Sequence, residues 1–303
     1  MSKIKNKAKK ILEENSIQPV SIEKISEEAG RMKNIFRVQT EDRGAIGVYL
    51  YKQPEGGERG RTIKQRLTAE KYTFNQIRTK TSLRAPEIIT SNNQDYIICN
   101  WLEGENTGFK IEENERKQEM AKVLGESLSE IHSIQYRKFG ELNQNGIEKT
   151  YDGWTEFLAN LIQFLKNFNT PDIADKGIKY LEDNLERIEG DYQPILIHGD
   201  YHAWNTVINE NDKLGVLDCE ASFVGCREYE ITRAIEHWTD EYSISEAFIK
   251  AYGKDKLKDD WRDRKDYYEV LHATIGLIDG IRLGSEELMR MNKEGLEKQL
   301  KQQ

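Results

Sequence analysis

The chain has 303 residues, enough for one large two-lobed domain or two modest ones with a sizeable core. Its 37% hydrophobic and 32% charged residues exclude the low-hydrophobicity composition of a disordered chain. The net charge of −8 argues against broad nucleic-acid binding, which needs a basic surface. The three cysteines, Cys99, Cys219 and Cys226, form no CxxC pair, which argues against a disulfide framework or a structural zinc site.

The N-terminal stretch MSKIKNKAKKILEEN is basic but contains no apolar run. It therefore predicts a helix and not a signal peptide. No uncharged apolar run in the sequence approaches the roughly 18 residues needed to cross a bilayer. We expect a cytoplasmic protein with neither a membrane nor a nucleic acid as its partner.

Residues 4–14 and 21–29 are predicted as short helices, the second with Ser21 as N-cap and Gly30 as terminator. The pattern then changes, because NIFRVQT and AIGVYLYK are two strands joined by a polar turn. A long polar helix follows over residues 61–79, and two further strands follow it, the second being DYIICNW. The predicted order is strand, strand, helix, strand, strand.

The segment LEGENTG, at residues 102–108, interrupts this pattern. Apolar residues then recur at helical spacing over residues 113–133 and 152–166, and further helices are predicted from residue 228 onward. Three short strands are predicted between these helices, over residues 195–197, 206–208 and 214–217.

The predicted fold class is therefore α+β with two lobes. Residues 1–103 form a small N-terminal lobe, an antiparallel sheet with one helix. Residues 104–303 form a larger, mainly helical C-terminal lobe.

The most informative motif runs from His198 to Asn205, with the sequence HGDYHAWN. Phosphorylation of a hydroxyl needs a carboxylate that orients the hydroxyl and accepts its proton, and it needs ligands for the metal that binds the triphosphate. Asp200 is placed to be that carboxylate. Asn205, five residues later, offers an amide oxygen suited to magnesium. The H-G-D-x-x-x-x-N spacing predicts a loop for phosphoryl transfer.

A second acidic motif, Asp218-Cys219-Glu220, follows the apolar stretch LGVL. A carboxylate at Asp218 is placed to bridge a metal to the β- and γ-phosphates. On an extended chain Glu220 points to the same side, where it would reach a second metal. We expect Cys219 to be a small core residue, because sulfur is a poor ligand for magnesium.

These segments resemble the aminoglycoside phosphotransferase and choline kinase superfamily. HGDYHAWN is similar to the H-G-D-x-H-x-x-N loop of these kinases, and Asp218-Cys219-Glu220 looks like the D-x-E of choline kinases and methylthioribose kinases. Glu230 stands where many members carry Asp. The resemblance covers the chain from about Gly30 to Trp238. It implies a bilobal protein-kinase-like fold and a magnesium-dependent kinase that moves the γ-phosphoryl of ATP or GTP onto a small molecule.

The resemblance also implies roles for residues of the N-terminal lobe. Lys52 would hold the α- and β-phosphates, and Glu70, on the next helix, would be its ion-pair partner. Asn100, Trp101 and Leu102 would form the hinge, whose backbone groups bind the nucleobase. Contacts made by backbone groups do not depend on residue type, so the sequence leaves the choice between ATP and GTP open.

Two features bear on the acceptor. Trp204 stands where many relatives have Gly, and its ring either reshapes the acceptor pocket or packs between the lobes. Residues 236–246 contain four acidic residues, Trp238 and Tyr242, but neither Lys nor Arg. Carboxylates such as Glu236, together with the ring of Trp238, are predicted to hold an ammonium group, which favours a cationic acceptor. The alternative is a solvated acidic helix face.

The acceptor itself stays open among aminoglycosides, choline or ethanolamine, sugars, amino alcohols and macrolides, because specificity lies outside the catalytic residues. A protein kinase is disfavoured, since D-F-G is absent and the A-P-E string, at Ala85–Glu87, precedes the HGDYHAWN segment instead of following it. The alternative of a different class is a pseudokinase, which binds nucleotide without turnover.

Overall fold

The structure is a computed structural model that describes residues 3–25, 33–52, 61–112, 116–236 and 242–301. The predictions made for Gly30 and Trp238 lie outside these ranges. Within the described ranges, no helix combines the length and the apolar character needed to span a membrane.

The N-terminal part is a five-stranded antiparallel sheet with a helix packed on each face. The elements are α1 (Lys3–Glu14), β1 (Pro19–Lys24), β2 (Lys33–Thr40), β3 (Gly44–Tyr51), α2 (Ile63–Lys80), β4 (Ile88–Ser91) and β5 (Tyr96–Asn100). The strand order in the sheet is β1-β2-β3-β5-β4. The predicted order of strand, strand, helix, strand, strand is confirmed as β2, β3, α2, β4 and β5.

Strand β3 is apolar on both faces, because it is sandwiched between the two helices. Ile46, Val48 and Leu50 pack with α1, whereas Tyr49 and Tyr51 pack on the side of α2. Since side chains alternate along a strand, this division determines which residues of β3 and of its neighbour β2 can reach α2.

The predicted helix over residues 21–29 is wrong in its first part. Residues Pro19–Lys24 form strand β1, which pairs antiparallel with β2. The reason is tertiary: Val20 and Ile22 are β-branched, and pairing with β2 outweighs a weak helical pattern in so short a segment. Residues 26–29 lie outside the described ranges.

The C-terminal part surrounds two further small sheets with helices. The strands are β6 (Glu105–Asn106), β7 (Phe139–Asn143), β8 (Gly146–Tyr151), β9 (Ile195–Ile197), β10 (Thr206–Ile208), β11 (Leu214–Val216) and β12 (Phe223–Gly225). The strand orders of the two sheets are β11-β10-β6 and β8-β7-β12-β9. The predicted strands at 195–197, 206–208 and 214–217 are confirmed as β9, β10 and β11, the last ending one residue earlier. The helices are α3 (Thr107–Glu112), α4 (Lys117–Ile131), α5 (Trp154–Leu165), α6 (Asp172–Asp183), α7 (Arg227–Glu236), α8 (Tyr242–Tyr252), α9 (Lys265–Leu283) and α10 (Glu286–Lys301).

An aromatic core supports the sheet that contains β9 and β12. Trp154 is fully buried, its ring stacks on Phe157 with centroids 5.1 Å apart, and its Nε1 donates to the hydroxyl of Tyr268 at 3.0 Å. Phe157 in turn stacks on Phe223 of β12 at 5.4 Å. Because β9 pairs with β12, this core fixes the strand from which the HGDYHAWN segment emerges.

Helix α2 connects the N-terminal sheet to the loop after β11. Thr62 begins the helix with a capping box, in which Gln65 is the reciprocal partner. The buried Arg61 guanidinium donates to the carbonyls of Glu220 and Ser222 at 3.0 and 2.6 Å, and Thr73 bonds the Ser222 hydroxyl at 2.6 Å. These bonds hold α2 against the Asp218-Cys219-Glu220 segment.

The α+β fold class is confirmed. The lobe boundary after residue 103 stays a prediction, although β6 pairs with β10 and so continues the chain into the second part.

Candidate active site

The HGDYHAWN segment forms a loop between β9 and β10 that brings Asp200 against Asn205. The Nδ2 of Asn205 donates to the backbone carbonyl of Asp200 at 2.8 Å and to its carboxylate Oδ2 at 3.1 Å. His202 Nε2 lies 3.4 Å from the same carboxylate oxygen. The amide nitrogen of Asn205 is thus committed to Asp200, so its Oδ1 is the atom left to act as a ligand.

This loop is bonded directly to the second acidic motif. The N–H of Leu217 donates to the carbonyl of Asn205 at 2.9 Å. The Nε2 of the buried His198 donates to the Leu217 carbonyl at 2.8 Å, while its Nδ1 accepts from the N–H of Asp200 at 3.3 Å. These bonds require the neutral Nε2–H tautomer of His198, and they make His198 a brace between the two loops.

Glu230 holds the start of the loop by hydrogen bonds to its backbone. Its carboxylate accepts the backbone N–H groups of His198 at 2.8 Å and Gly199 at 2.6 Å. The same carboxylate contacts His132 Nε2 at 3.0 Å, and His132 Nδ1 bonds the hydroxyl of Tyr252 at 2.9 Å. Because Glu230 is fully buried, these contacts fix the orientation of the Asp200 loop from inside the helical part.

Both loops turn through left-handed backbone. Gly199 has φ +87°, and a Cβ at this position would come 2.4 Å from the carbonyl oxygen of Ala221. Asp218 has φ 57°, an uncommon value for a residue with a side chain. The turn at Gly199 allows the Asp200 loop to lie directly on the Asp218 loop, and only glycine fits it.

A buried cation joins the acidic residues of the site. Lys33 Nζ lies 2.7 Å from Glu70 Oε1, 2.8 Å from Asp218 Oδ1 and 3.8 Å from Glu220 Oε2. Arg66 Nη1 approaches Glu220 Oε1 at 3.6 Å. Lys33 is only 1% exposed, so one ammonium group at the base of the cleft holds carboxylates from both parts of the chain.

The prediction that Lys52 pairs with Glu70 is therefore wrong, because the lysine that pairs with Glu70 is Lys33. Both oxygens of Glu70 are engaged, one by Lys33 and the other by the hydroxyl of Tyr51. The reason is strand alternation: continued past the end of β3, it places Lys52 on the Leu50 face, toward α1, whereas Glu70 lies on the opposite face.

The charged groups of this cluster shift one another's pKa values. Burial lowers the pKa of Lys33, but the attraction of Asp218 and Glu70 outweighs it and holds the pKa above its ordinary value. Burial, with the repulsion of Asp218, raises the pKa of Glu220 to about 7 although Lys33 and Arg66 oppose this. Lys33 is therefore cationic at every physiological pH.

The pKa of Asp200 is shifted in the opposite direction. Burial raises it, but His202 and Arg233, whose Nη2 lies 3.7 Å from Oδ1, lower it well below the ordinary value. Asp200 is ionised at neutral pH, as a proton acceptor must be.

The predicted hinge follows β5. The N–H of Asn100 donates to the Glu87 carbonyl at 2.9 Å, and the N–H of Trp101 donates to Ala45 at 3.2 Å. Those two donors are committed within the sheet, so any nucleobase contact there would use other backbone groups, including those of Leu102. The contact by Asn100 and Leu102 stays a prediction.

Trp204 belongs to the Asp200 loop, and its side chain packs against α3. Its ring packs edge-on against Phe109 at 5.0 Å, and its carbonyl accepts from Asn106 Nδ2 at 2.7 Å. The ring is 44% exposed, and it lies directly over Gly108. Its role in acceptor binding stays a prediction.

Glu236 is brought close to Asp200 through Arg233. Its carboxylate contacts Arg233 Nη1 at 3.2 Å and His272 Nδ1 at 3.0 Å. Burial raises the pKa of Glu236, but His272 and Arg233 lower it below its ordinary value, so this carboxylate is ionised. Glu246, from the same acidic stretch, instead pairs with Lys254 and Arg262.

In the described part of the chain, no group of three or more His, Cys, Asp and Glu side chains is arranged around a common metal position. Magnesium needs fewer protein ligands, since it uses one or two carboxylates together with substrate phosphates and water. The oxygens of Asn205, Asp218 and Glu220 are the hard donors it prefers. Glu220 Oε2 is buried and lacks a hydrogen-bond partner among the described residues, so the donor set fits a magnesium ion.

Sequence reasoning missed Lys33, Arg66 and Arg233. The alternation in β2 was the available signal for Lys33, because Phe36 and Val38 mark one face and odd-numbered residues lie on the other. The signal for Arg66 was its position one helical turn before Glu70.

Comparison with known proteins finds proteins that are similar to this chain in sequence and in fold. The model of the phosphotransferase enzyme family, APH, matches residues 28–267, more than half of the chain. A probable aminoglycoside 3'-phosphotransferase of Lactococcus lactis subsp. lactis (strain IL1403) is 24% identical over 176 residues. That match covers 56% of this chain and 64% of the relative, so it spans less than two thirds of the relative's length.

Solved structures share the fold across nearly the whole chain. The crystal structure of aminoglycoside phosphotransferase APH(4)-Ia has a TM-score of 0.71 at 15% identity, and the similarity covers 98% of each chain. A thermostable mutant of APH(4)-Ia, in a ternary complex with ADP and hygromycin B, has a TM-score of 0.69 at 14% identity and 97% coverage of each chain.

The brace at Glu230 gives a test of the site's construction. Glu230→Gln replaces one acceptor oxygen by an NH₂ group, which faces a buried backbone N–H that it cannot satisfy. We expect the free energy of unfolding to fall by about 1–3 kcal/mol, the cost of leaving a buried polar group unpaired. Urea denaturation measures this change.

The exposed Glu148→Gln is the matched control and should change stability by less than about 0.5 kcal/mol. Equal urea midpoints for Glu230→Gln and the control would contradict the assigned role of Glu230.

Proposed function

Because the chain belongs to the phosphotransferase enzyme family, we propose that it transfers the terminal phosphoryl group of a nucleoside triphosphate to a hydroxyl of a small molecule. One observation carries the proposal. The ionised Asp200 and the acidic pair Asp218 and Glu220 lie on two adjoining loops, joined by the bond from Leu217 to Asn205. Phosphoryl transfer needs this combination of one base and nearby metal ligands.

Asp200 is the proposed general base. Its carboxylate orients the acceptor hydroxyl and takes its proton as the new oxygen–phosphorus bond forms and the bond to the leaving nucleoside diphosphate breaks. Asn205 Nδ2 and His202 hold the carboxylate in place, so its orientation is set before the acceptor arrives.

Asn205, Asp218 and Glu220 are the proposed magnesium ligands. A bound magnesium ion would neutralise charge on the β- and γ-phosphates. The chain's own part is to hold these oxygens rigidly, through Leu217 on one side and Arg61 on the other.

ATP or GTP is the proposed donor, bound between the sheet of residues 1–103 and the helical part from residue 104. The ADP complex of the APH(4)-Ia mutant supports a nucleotide in this fold. We place the reaction in the cytoplasm, where nucleoside triphosphates are available.

The proposed acceptor is a hydroxylated amine, such as an amino sugar. The names of the relatives and the hygromycin B in the APH(4)-Ia complex support this class. Glu236 adds a local reason, because its ionised carboxylate is linked through Arg233 to Asp200. There are two alternatives to this proposal. One is a choline-type or neutral sugar acceptor, and the other is a pseudokinase without turnover. The experiments below distinguish them from an amino-sugar kinase.

Removal of the base is the direct test. Parent and Asp200→Asn protein would be incubated with magnesium and ATP or GTP, against a panel of amino sugars, choline, amino alcohols, neutral sugars and hydroxy acids. We expect the parent to phosphorylate at least one amine, and Asp200→Asn to lose about 10²-fold or more of kcat, the usual scale for a positioned base.

Nucleotide affinity of Asp200→Asn, measured by calorimetry, should stay near that of the parent. Asp259→Asn, an exposed aspartate distant in sequence from both motifs, is the control for the substitution itself. Near-parent turnover of Asp200→Asn would refute the role of Asp200, and nucleotide binding without turnover of any acceptor would favour the pseudokinase.

The choice of a cationic acceptor has its own test in Glu236→Gln. Loss of one charge-assisted hydrogen bond should raise KM for an aminated acceptor about 10-fold, while KM for a neutral sugar changes little. Glu246→Gln is the control, since that carboxylate pairs with Lys254 and Arg262 instead. If the best acceptor is neutral or anionic, or if both variants behave alike, the acceptor is not recognised by this carboxylate.

A further inference from the structure

We propose that Lys33, on strand β2, binds the α- and β-phosphates of the nucleotide, in place of a lysine on β3. This inference rests on the proposed function and names the residue that would neutralise the donor's phosphates. The family resemblance puts this lysine at the end of β3, paired with a glutamate on the following helix. Here the helix α2 glutamate, Glu70, is present, but its lysine partner comes from the neighbouring strand.

The sheet register explains how a lysine on β2 reaches this position. Lys33 pairs directly with Tyr51, the last residue of β3. Since paired residues of an antiparallel sheet point to the same face, the Lys33 side chain enters the layer between the sheet and α2. Its ammonium group lies 5.3 Å from the ring centre of Tyr49 and 5.5 Å from that of Tyr51.

Strand β3 has no lysine on this face, and the last two of its positions there are tyrosines. Tyr49 and Tyr51 are buried, and the Tyr51 hydroxyl donates to Glu70 Oε2. The tyrosines fill the space that a β3 lysine would cross, and they leave Glu70 one oxygen for Lys33. Continued alternation would turn Lys52, one residue later, to the opposite face.

The contacts of Lys33 are those of a group that holds a polyanion between the two parts of the chain. It connects Glu70 on α2 with Asp218, a proposed metal ligand. An ammonium group has three donors, and the third has only Glu220, at 3.8 Å, beyond hydrogen-bond distance. One donor of Lys33 therefore lacks an acceptor among the described residues.

Arg66 adds further donors without hydrogen bonds beside Lys33. It is 3% exposed, and its Nε and Nη1 atoms are buried without hydrogen-bond partners in the described ranges. Unpaired buried donors are costly, so their presence beside Lys33 points to a ligand rich in acceptor oxygens. Phosphate groups have this chemistry, and arginine and lysine are the side chains that bind them.

In the experiment, each variant is titrated with magnesium and a non-hydrolysable ATP analogue in the absence of acceptor, and calorimetry measures the binding affinity. Lys33→Met should weaken analogue binding about 10- to 100-fold, the effect of losing charge-assisted hydrogen bonds. Lys52→Met and the exposed Lys64→Met, on α2, should bind like the parent. Unchanged affinity in Lys33→Met, or a loss in Lys52→Met alone, would overturn the assignment.

A second variant addresses the stability cost of leaving Glu70 unpaired. Lys33→Met combined with Tyr51→Lys returns an ammonium group to Glu70 from β3, because the Tyr51 side chain already reaches that carboxylate. We expect this double variant to fold and to bind the analogue within about 10-fold of the parent, one such charge-assisted bond being the largest remaining loss. If both variants fold, a double variant that binds the analogue no better than Lys33→Met contradicts the proposal. If Lys33→Met does not fold, a folded double variant without detectable analogue binding contradicts it.

Failure of the proposed function gives a different result from failure of this inference. If the parent binds no magnesium-nucleotide, the kinase proposal fails and the role of Lys33 fails with it. If the parent and Lys33→Met bind the analogue equally, only the Lys33 assignment fails, and phosphoryl transfer by Asp200 is unaffected.

Discussion

The buried ammonium group of Lys33 is the interaction on which the cleft depends. Removing an ion from water costs several kcal/mol, so a lysine that is 1% exposed is stable only with close counter-charges. Glu70 and Asp218 supply them, one from the helix on the sheet and one from the loop after β11. Because the two carboxylates belong to different parts of the chain, this pairing determines how the cleft walls meet. The tyrosines of β3 and the guanidinium of Arg66 complete the same buried layer.

The second wall of the cleft is built by hydrogen bonds to backbone atoms. Glu230 accepts two consecutive N–H groups at the start of the Asp200 loop, and His198 joins that loop to Leu217. The positive φ of Gly199 lets the two loops touch. The Asp200 carboxylate, the proposed base, is thus carried by a loop whose position is fixed from the helical part, whereas the proposed phosphate end of the cleft is fixed from the sheet. Transfer between donor and acceptor needs both sets of constraints at once.

The sequence predicted those parts of the site that lie within short, continuous segments. The His198–Asn205 and Asp218-Cys219-Glu220 segments each carry their functional groups locally, and the hydrogen bond from Leu217 to Asn205 joins the two loops. The first part of the helix predicted over residues 21–29 and the pairing of Lys52 with Glu70 were wrong for a shared reason. Both depend on how β1, β2 and β3 pair, and strand pairing is a long-range property that a local pattern does not encode. The face of β3 on which a lysine would lie could have been read from its alternation, but the presence of Lys33 opposite Tyr51 required the register.

The central claim is that the phosphate-binding lysine has moved from β3 to β2, and a crystal structure with magnesium and a non-hydrolysable ATP analogue tests it most directly. The account predicts that Lys33 Nζ keeps its contact with Glu70, leaves Asp218, and lies within about 3.2 Å of an α- or β-phosphate oxygen, while Asp218 contacts the metal ion. A complex in which Lys33 still binds Asp218 and the phosphates are held by Lys52 would contradict it.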